Sequence, residues 1–164
     1  MMPLQVPPAM AAPAPAETIR AQYGWGYAGS DGEGTGTLNL LIEPGAGRLV
    51  AELHGMGERL MLLEGDRASG YRLQVPRQKV DLRAATLAEL PLPFLPQVAS
   101  VEALLHLLRT GDGQGVSVLK KDGTGPKKLH WRGRDPRGRD EQVWLDRKRW
   151  EGAVGSRESG SPVR

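Results

Sequence analysis

Apolar and polar residues alternate with period 2 from about Ile19 to Ala84, in segments that recur about every ten residues and break at Gly, Pro or Asp. Successive side chains of a β-strand point to opposite faces, so this pattern reads as half-buried strands joined by short turns. Arg20–Ala28 places Tyr23, Trp25 and Tyr27 on one face and Gly24 and Gly26 on the other. Gly34–Glu43 sets Leu38, Leu40 and Ile42 against Thr35, Thr37 and Asn39, and Arg48–His54 sets Leu49, Ala51 and Leu53 against Glu52 and His54. Glu58–Leu63, Ser69–Val75 with Tyr71 and Leu73, and Gln78–Ala84 with Val80 and Leu82 continue the series. The 22 Gly and 13 Pro among 164 residues disfavour long helices, in keeping with many strands and turns.

The period changes after residue 84. Leu90-Pro91-Leu92-Pro93-Phe94-Leu95-Pro96 reads as a proline-stiffened apolar loop. Ser100 then supplies an N-cap for a segment with apolar residues at Val101, Leu104, Leu105 and Leu108, the i, i+3, i+4, i+7 spacing of an amphipathic helix of about ten residues that Gly111 ends. Period 2 resumes at Val116 and Val118, in Lys128–Arg132 and in Glu141–Trp150. Strands joined by short turns are antiparallel. The expected fold is therefore mainly β: an antiparallel meander of about nine strands curled into an open half-barrel, with one covering α-helix. The domain is read over 18–152. Residues 1–17, rich in Ala and Pro, read as a disordered leader or the remnant of a secretion signal, because Ala12-Pro13-Ala14 and Ala14-Pro15-Ala16 have the small-x-small form of a signal-peptidase site. Residues 153–164 read as a disordered tail.

Motifs for chemistry are sparse. Gly24-Trp25-Gly26-Tyr27-Ala28-Gly29 fits G-x-G-x-x-G but lies inside a strand pattern, where a dinucleotide site needs a helix to open. Three histidines, His54, His106 and His130, stand without metal-ligand spacing and read as exposed or half-exposed side chains. No P-loop, nucleophile elbow or zinc-protease motif is present, and the chain has no cysteine. The residues thus point away from an enzyme, and no cofactor or metal is implied.

Charge is distributed unevenly. The net charge is +3, yet residues 1–119 hold 9 basic and 12 acidic side chains while residues 120–164 hold 13 and 7. Within 120–149 the basic side chains surround Trp131 and Trp144, with Trp150 just beyond. Such a region could meet an anionic membrane surface or, with the tryptophans stacking bases, a single-stranded nucleic acid. Acidic residues are interleaved, as in Arg132-Gly133-Arg134-Asp135 followed by Arg137-Gly138-Arg139-Asp140, which weakens the nucleic-acid reading.

The order of parts resembles the LolA/LolB-like superfamily of periplasmic lipoprotein carriers and outer-membrane lipoprotein-insertion proteins. His54-Gly55-Met56-Gly57 with the strand after it is similar to the insertion proteins' apolar-residue-Gly loop, and Leu90-Pro91-Leu92-Pro93 with the 101–109 helix to their proline-leucine stretch and covering helix. Gly125-Pro126-Lys127-Lys128-Leu129 resembles a late "P-x-x-L" strand opening, and Val143-Trp144-Leu145-Asp146 with Trp150 the final "L-x-(I/V)-D-x-W" strand. The lipid-bearing cysteine of the insertion proteins has no counterpart in this sequence. The resemblance implies a monomeric periplasmic or outer-membrane-facing protein that binds lipid or lipoprotein acyl chains without catalysis. The lining expected from the alternating face and the helix stripe is Tyr23, Trp25, Tyr27, Leu38, Leu40, Leu60, Leu62, Tyr71, Leu104, Leu105 and Leu108, and Met56 would be the membrane-contact residue. A closed, ordinary β core would use many of the same residues. A nucleic-acid-binding β domain and a structural envelope-assembly module are the alternatives.

Overall fold

The structure, a computed structural model, describes residues 17–154 apart from Asp31, Phe94 and Pro136. Nine strands form: β1 (Glu17–Gly29), β2 (Gly32–Glu43), β3 (Arg48–Gly55), β4 (Glu58–Asp66), β5 (Gly70–Val75), β6 (Val80–Ala84), β7 (Val116–Asp122), β8 (Gly125–Arg134) and β9 (Asp140–Val154). One α-helix, α1 (Val101–Thr110), lies between β6 and β7. All strands belong to one antiparallel, unclosed sheet of order β6-β5-β4-β3-β2-β1-β9-β8-β7. The first strand therefore pairs with the last. β9 runs against β1 from Glu17↔Val154 to Gly29↔Glu141, which carries it beyond the expected end at Trp150 and two residues into the segment read as a tail. The rest of that tail and the leader, apart from Glu17, lie outside the described residues.

Hairpin connectivity sorts the turns to two ends of the sheet. The β1–β2, β3–β4, β5–β6 and β8–β9 connections share one end; the β2–β3, β4–β5 and β7–β8 connections share the other. Expected β6 is shorter than the alternation suggests, because Pro76–Gln78 forms a 3₁₀ turn and Lys79 adopts the left-handed region at φ 57°. At that outer edge Leu82, in register with the buried Leu73, is 41% exposed, while Val80 and Ala84 on the same face pack half-buried against the core.

The sheet's buried face and its cover make one core. Helix α1 forms where the cap chemistry places it: the Ser100 Oγ accepts a hydrogen bond from Ala103 N at 3.0 Å, and Gly111 at φ 77° closes the C-terminus by donating to Leu107 O. It spans the turn-bearing end opposite Met56. Arg67 in the β4–β5 turn pairs with Glu102 at 2.7 Å near its start, and Arg109 near its end pairs with Glu17 of β1 at 2.8 Å. Both charges suit the helix dipole, acidic at the first turn and basic at the last. Leu107 is buried in addition to the expected stripe, because Gly113 leaves room for it: a Cβ at Gly113 would stand 2.8 Å from the Leu107 side chain.

Candidate functional site

The buried face of the sheet is apolar throughout. β1 contributes Ile19, Ala21, Tyr23 and Trp25; β2 contributes Leu38, Leu40 and Ile42; β3, Leu49, Ala51 and Leu53. Tyr27 continues the row half-buried, its ring stacked on Trp25 with centroids 6.1 Å apart and planes 5° from parallel. Over this face lie Leu87, Leu90, Leu92, Leu95 and Val98 of the proline-rich link and Leu104, Leu105 and Leu108 of α1, all buried. Gln97 pins the link by donating to Leu90 O at 3.0 Å and accepting from Leu92 N at 3.2 Å. The concave side is thus filled by the chain's own leucines.

Of the expected lining, Tyr23, Trp25, Leu38, Leu40, Tyr71, Leu104, Leu105 and Leu108 come together in this core, with Tyr27 at its rim. β4 requires a correction. Its inward residues are Met61 and Leu63, both fully buried, whereas Leu62 pairs with Glu52 and Gln74 on the outer face. A bulge pairs Leu53 with Met61 and His54 with Arg59, so Leu60 is the extra residue and packs half-buried against Gly55. Leu60-Met61-Leu62-Leu63 is apolar in both phases, so alternation could not choose the face. The link leucines were visible in the sequence as an apolar loop, but only their burial shows that they fill the concavity.

Polar groups inside the site differ in how they are satisfied. The Tyr71 hydroxyl donates to Gly47 O and the Tyr27 hydroxyl to Glu141 Oε1 at 3.2 Å. Burial raises the Glu141 carboxyl, with the Tyr27 bond opposing it. Tyr23 is 1% exposed and its hydroxyl has no hydrogen-bond partner among the described residues. Burial pushes that phenol well above its ordinary range, against the field of Arg147. Arg147, opposite Tyr23 on β9, donates to Pro126 O at 2.8 Å and pairs with Asp122, whose carboxyl it holds well below the usual range together with Thr124.

Met56 is 90% exposed at the tip of the β3–β4 hairpin. Met56 and Gly57 have φ of 53° and 78°, the signature of a two-residue turn that normally takes Asn, Asp or Gly at its first position. A methionine there is both strained and exposed.

The basic region does not assemble as one aromatic stripe. Trp131 and Trp150 pack against the core, and the Trp131 ring covers Gly133, where a Cβ would stand 2.1 Å from it. Trp144 alone faces outward, lying against Gly26 and tilted on His130 with centroids 5.0 Å apart. The histidines lie on three separate elements, half-buried or exposed, with His54 near Glu52 and His106 beside Asp112. Among the described residues no three His, Asp or Glu side chains gather as a metal ion would need.

Two hollows of about 680 and 290 Å³ open elsewhere. Arg48, Arg67, Arg72 and Arg83 rim the first, and Arg20, Gln22, Asn39 and Glu52 the second. No helix among the described residues is long and apolar enough to cross a membrane. No protein-family model and no curated protein matches the chain.

Proposed function

We propose that this protein is a non-catalytic carrier of acyl chains, from lipid or lipoprotein, in the cell envelope. It would work as the LolA/LolB-like proteins it resembles do, for transport to or insertion into the outer membrane. The observation that carries this reading is the cover: one apolar sheet face is closed by residues 87–110, a link and a single helix, rather than by a second sheet. A fully buried aliphatic side chain is worth about 1.5–3 kcal/mol, so the five buried side chains of α1 represent roughly 7–15 kcal/mol at most. An acyl chain burying fourteen methylenes gains about 11 kcal/mol at ~0.8 kcal/mol each. One acyl chain therefore matches the share of the helix, and a second matches the five buried side chains of the link, Leu87, Leu90, Leu92, Leu95 and Val98, so two acyl chains can take the place of the whole cover without a large net cost. Met56, strained and exposed at the end of the sheet away from α1, is the side chain that meets the acyl region of a membrane during transfer.

The filled interior also suits a structural module of an envelope assembly, and one experiment separates the two. Delipidated protein is titrated with a fluorescent fatty-acid probe. A carrier takes it up saturably at one or a few sites; a structural module leaves the probe in solution.

A further inference from the structure

We infer that the outward face of β7, β8 and β9 is a docking surface for an anionic bilayer. Antiparallel register places Arg132, His130 and Lys128 of β8 on this face, opposite Gln142, Trp144 and Asp146 of β9, with Lys120 of β7 beyond Lys128. Arg134, Lys148 and Arg149 extend it, so six cations share it with three carboxylates, Asp140, Asp146 and Glu151. The central carboxylate, Asp146, is already held by Lys127 at 3.5 Å and Lys148 at 3.0 Å, and its carboxyl is lowered by them. Arg134 donates to Gly138 O at 2.9 Å. The side chains of Lys120, Lys128, Arg132 and Arg149 have no ion-pair or hydrogen-bond partner among the described residues.

The fold does not require this charge. Lys120 and Lys128 stand directly opposite each other, a like-charge pair that weakens a ladder. The first aspartate of the Arg-Gly-Arg-Asp repeat does not relieve it. Asp135 is spent within its own turn, accepting from the Arg137 and Arg139 backbone N–H groups at 2.9 Å each and from the Arg139 guanidinium at 3.2 Å. A negatively charged surface supplies the missing counter-charge.

Charge complementarity and the aromatic placement together favour a bilayer over a nucleic acid. Stacking bases along a strand needs several exposed rings, and two of the three tryptophans of this region are turned into the core. A single half-buried Trp144 among cations, with Leu119 52% exposed on the edge strand β7 two strands away, is the composition of a headgroup-level contact. The β8–β9 turn lies at the same end of the sheet as Met56, the side chain that the carrier reading assigns to transfer. That last step rests on the carrier reading; the docking itself does not.

The test is co-sedimentation of the full chain with vesicles of phosphatidylcholine alone and of phosphatidylcholine with 30% phosphatidylglycerol, at 50 and 300 mM salt. Each cation near an anionic leaflet is worth about fivefold in partitioning. Binding is expected only to the anionic vesicles, to weaken with salt, and to fall by about 25-fold or more in Lys128→Glu/Arg132→Glu. Lys79→Glu/Arg83→Glu, the same change of net charge on the far side of the sheet, is expected to bind like the unaltered protein. Thermal melts establish that both variants fold. Equal binding to both vesicle types, or equal losses in both variants, overturns the proposal. So does binding to single-stranded oligonucleotide with none to vesicles. Probe uptake measured on the same preparations separates the two claims: vesicle binding without uptake overturns only the carrier reading, and uptake without vesicle binding overturns only the docking surface.

Discussion

Replacing Tyr23 by Phe removes one oxygen from the middle of the core, and the structure predicts that the protein becomes more stable. A buried polar group without a partner retains the cost of its desolvation, about 1–3 kcal/mol for a neutral hydroxyl. The Tyr23 hydroxyl is such a group, in a side chain that is 1% exposed and paired across the sheet with Leu38. The ring itself stays, so the apolar contacts with the core are kept and only a hydroxyl-sized gap remains. Unfolding entropy near 2.1 cal/mol/K per residue gives roughly 0.3 kcal/mol/K for a domain of this size, so Tm should rise by about 3–10 °C. Scanning calorimetry on both proteins at pH 7, with urea titration to show an unchanged m-value, measures it. A Tm lowered by more than about 2 °C refutes the reasoning, because it means that the hydroxyl has a partner worth keeping.

Three further outcomes follow from the same structure. Met56→Asn puts a residue that tolerates positive φ into the β3–β4 turn, so the melting temperature should rise by a few degrees while transfer of acyl probe to acceptor vesicles slows. Leu104→Ala empties a buried position in the cover and should cost about 2–5 kcal/mol by urea unfolding, with probe uptake retained or increased because the competing segment is weakened. Gly36→Ala should destabilise the domain, read as a lower urea midpoint, because its Cβ would stand 2.1 Å from His54 O and force β2 and β3 apart.

Acid sensitivity follows from the carboxyls. Asp81, Asp122, Asp135 and Asp146 are all lowered in the folded chain by their bonds to Arg72, to Arg147 and Thr124, to Arg139 and Arg137, and to Lys148 and Lys127. Their contribution is complete above the unfolded value of about 3.9 and is lost as pH falls through the folded values. Glu141, raised by burial, acts in the opposite sense: it favours the folded state below its unfolded pKa and loses that effect as pH rises through the folded one. The four lowered groups outnumber it. The urea midpoint should therefore fall between pH 6 and pH 3, and an unchanged midpoint would show that these pairs contribute nothing.

Strand identity and the helix were legible because each depends on local chemistry: period 2 bounded by turn residues, and a 3.6-residue stripe between a serine cap and Gly111. Pairing between β1 and β9 was not, since nothing near Tyr23 in the sequence refers to Arg147. Faces were legible only where the two phases differ in polarity. They do in β1 and β2, and they do not at Leu60-Met61-Leu62-Leu63, where a bulge decides. The tryptophans show the same limit: Trp131 and Trp144 look equivalent in a basic stretch, but register turns one into the core and the other out. The burial of Leu90, Leu92 and Leu95 depends on the sheet they cover, and no periodicity within the link signals it.

If the protein carries acyl chains as proposed, residues 87–110 and an acyl chain compete for one sheet face. Amide hydrogen exchange, read on the protein alone and on the protein saturated with a single-chain lysolipid, tests it most directly. Amides of α1 and the link are expected to lose protection when the lipid is bound while those of β2, β3 and β4 keep theirs. Unchanged protection of 87–110 at saturating lipid, or no complex at all, contradicts it.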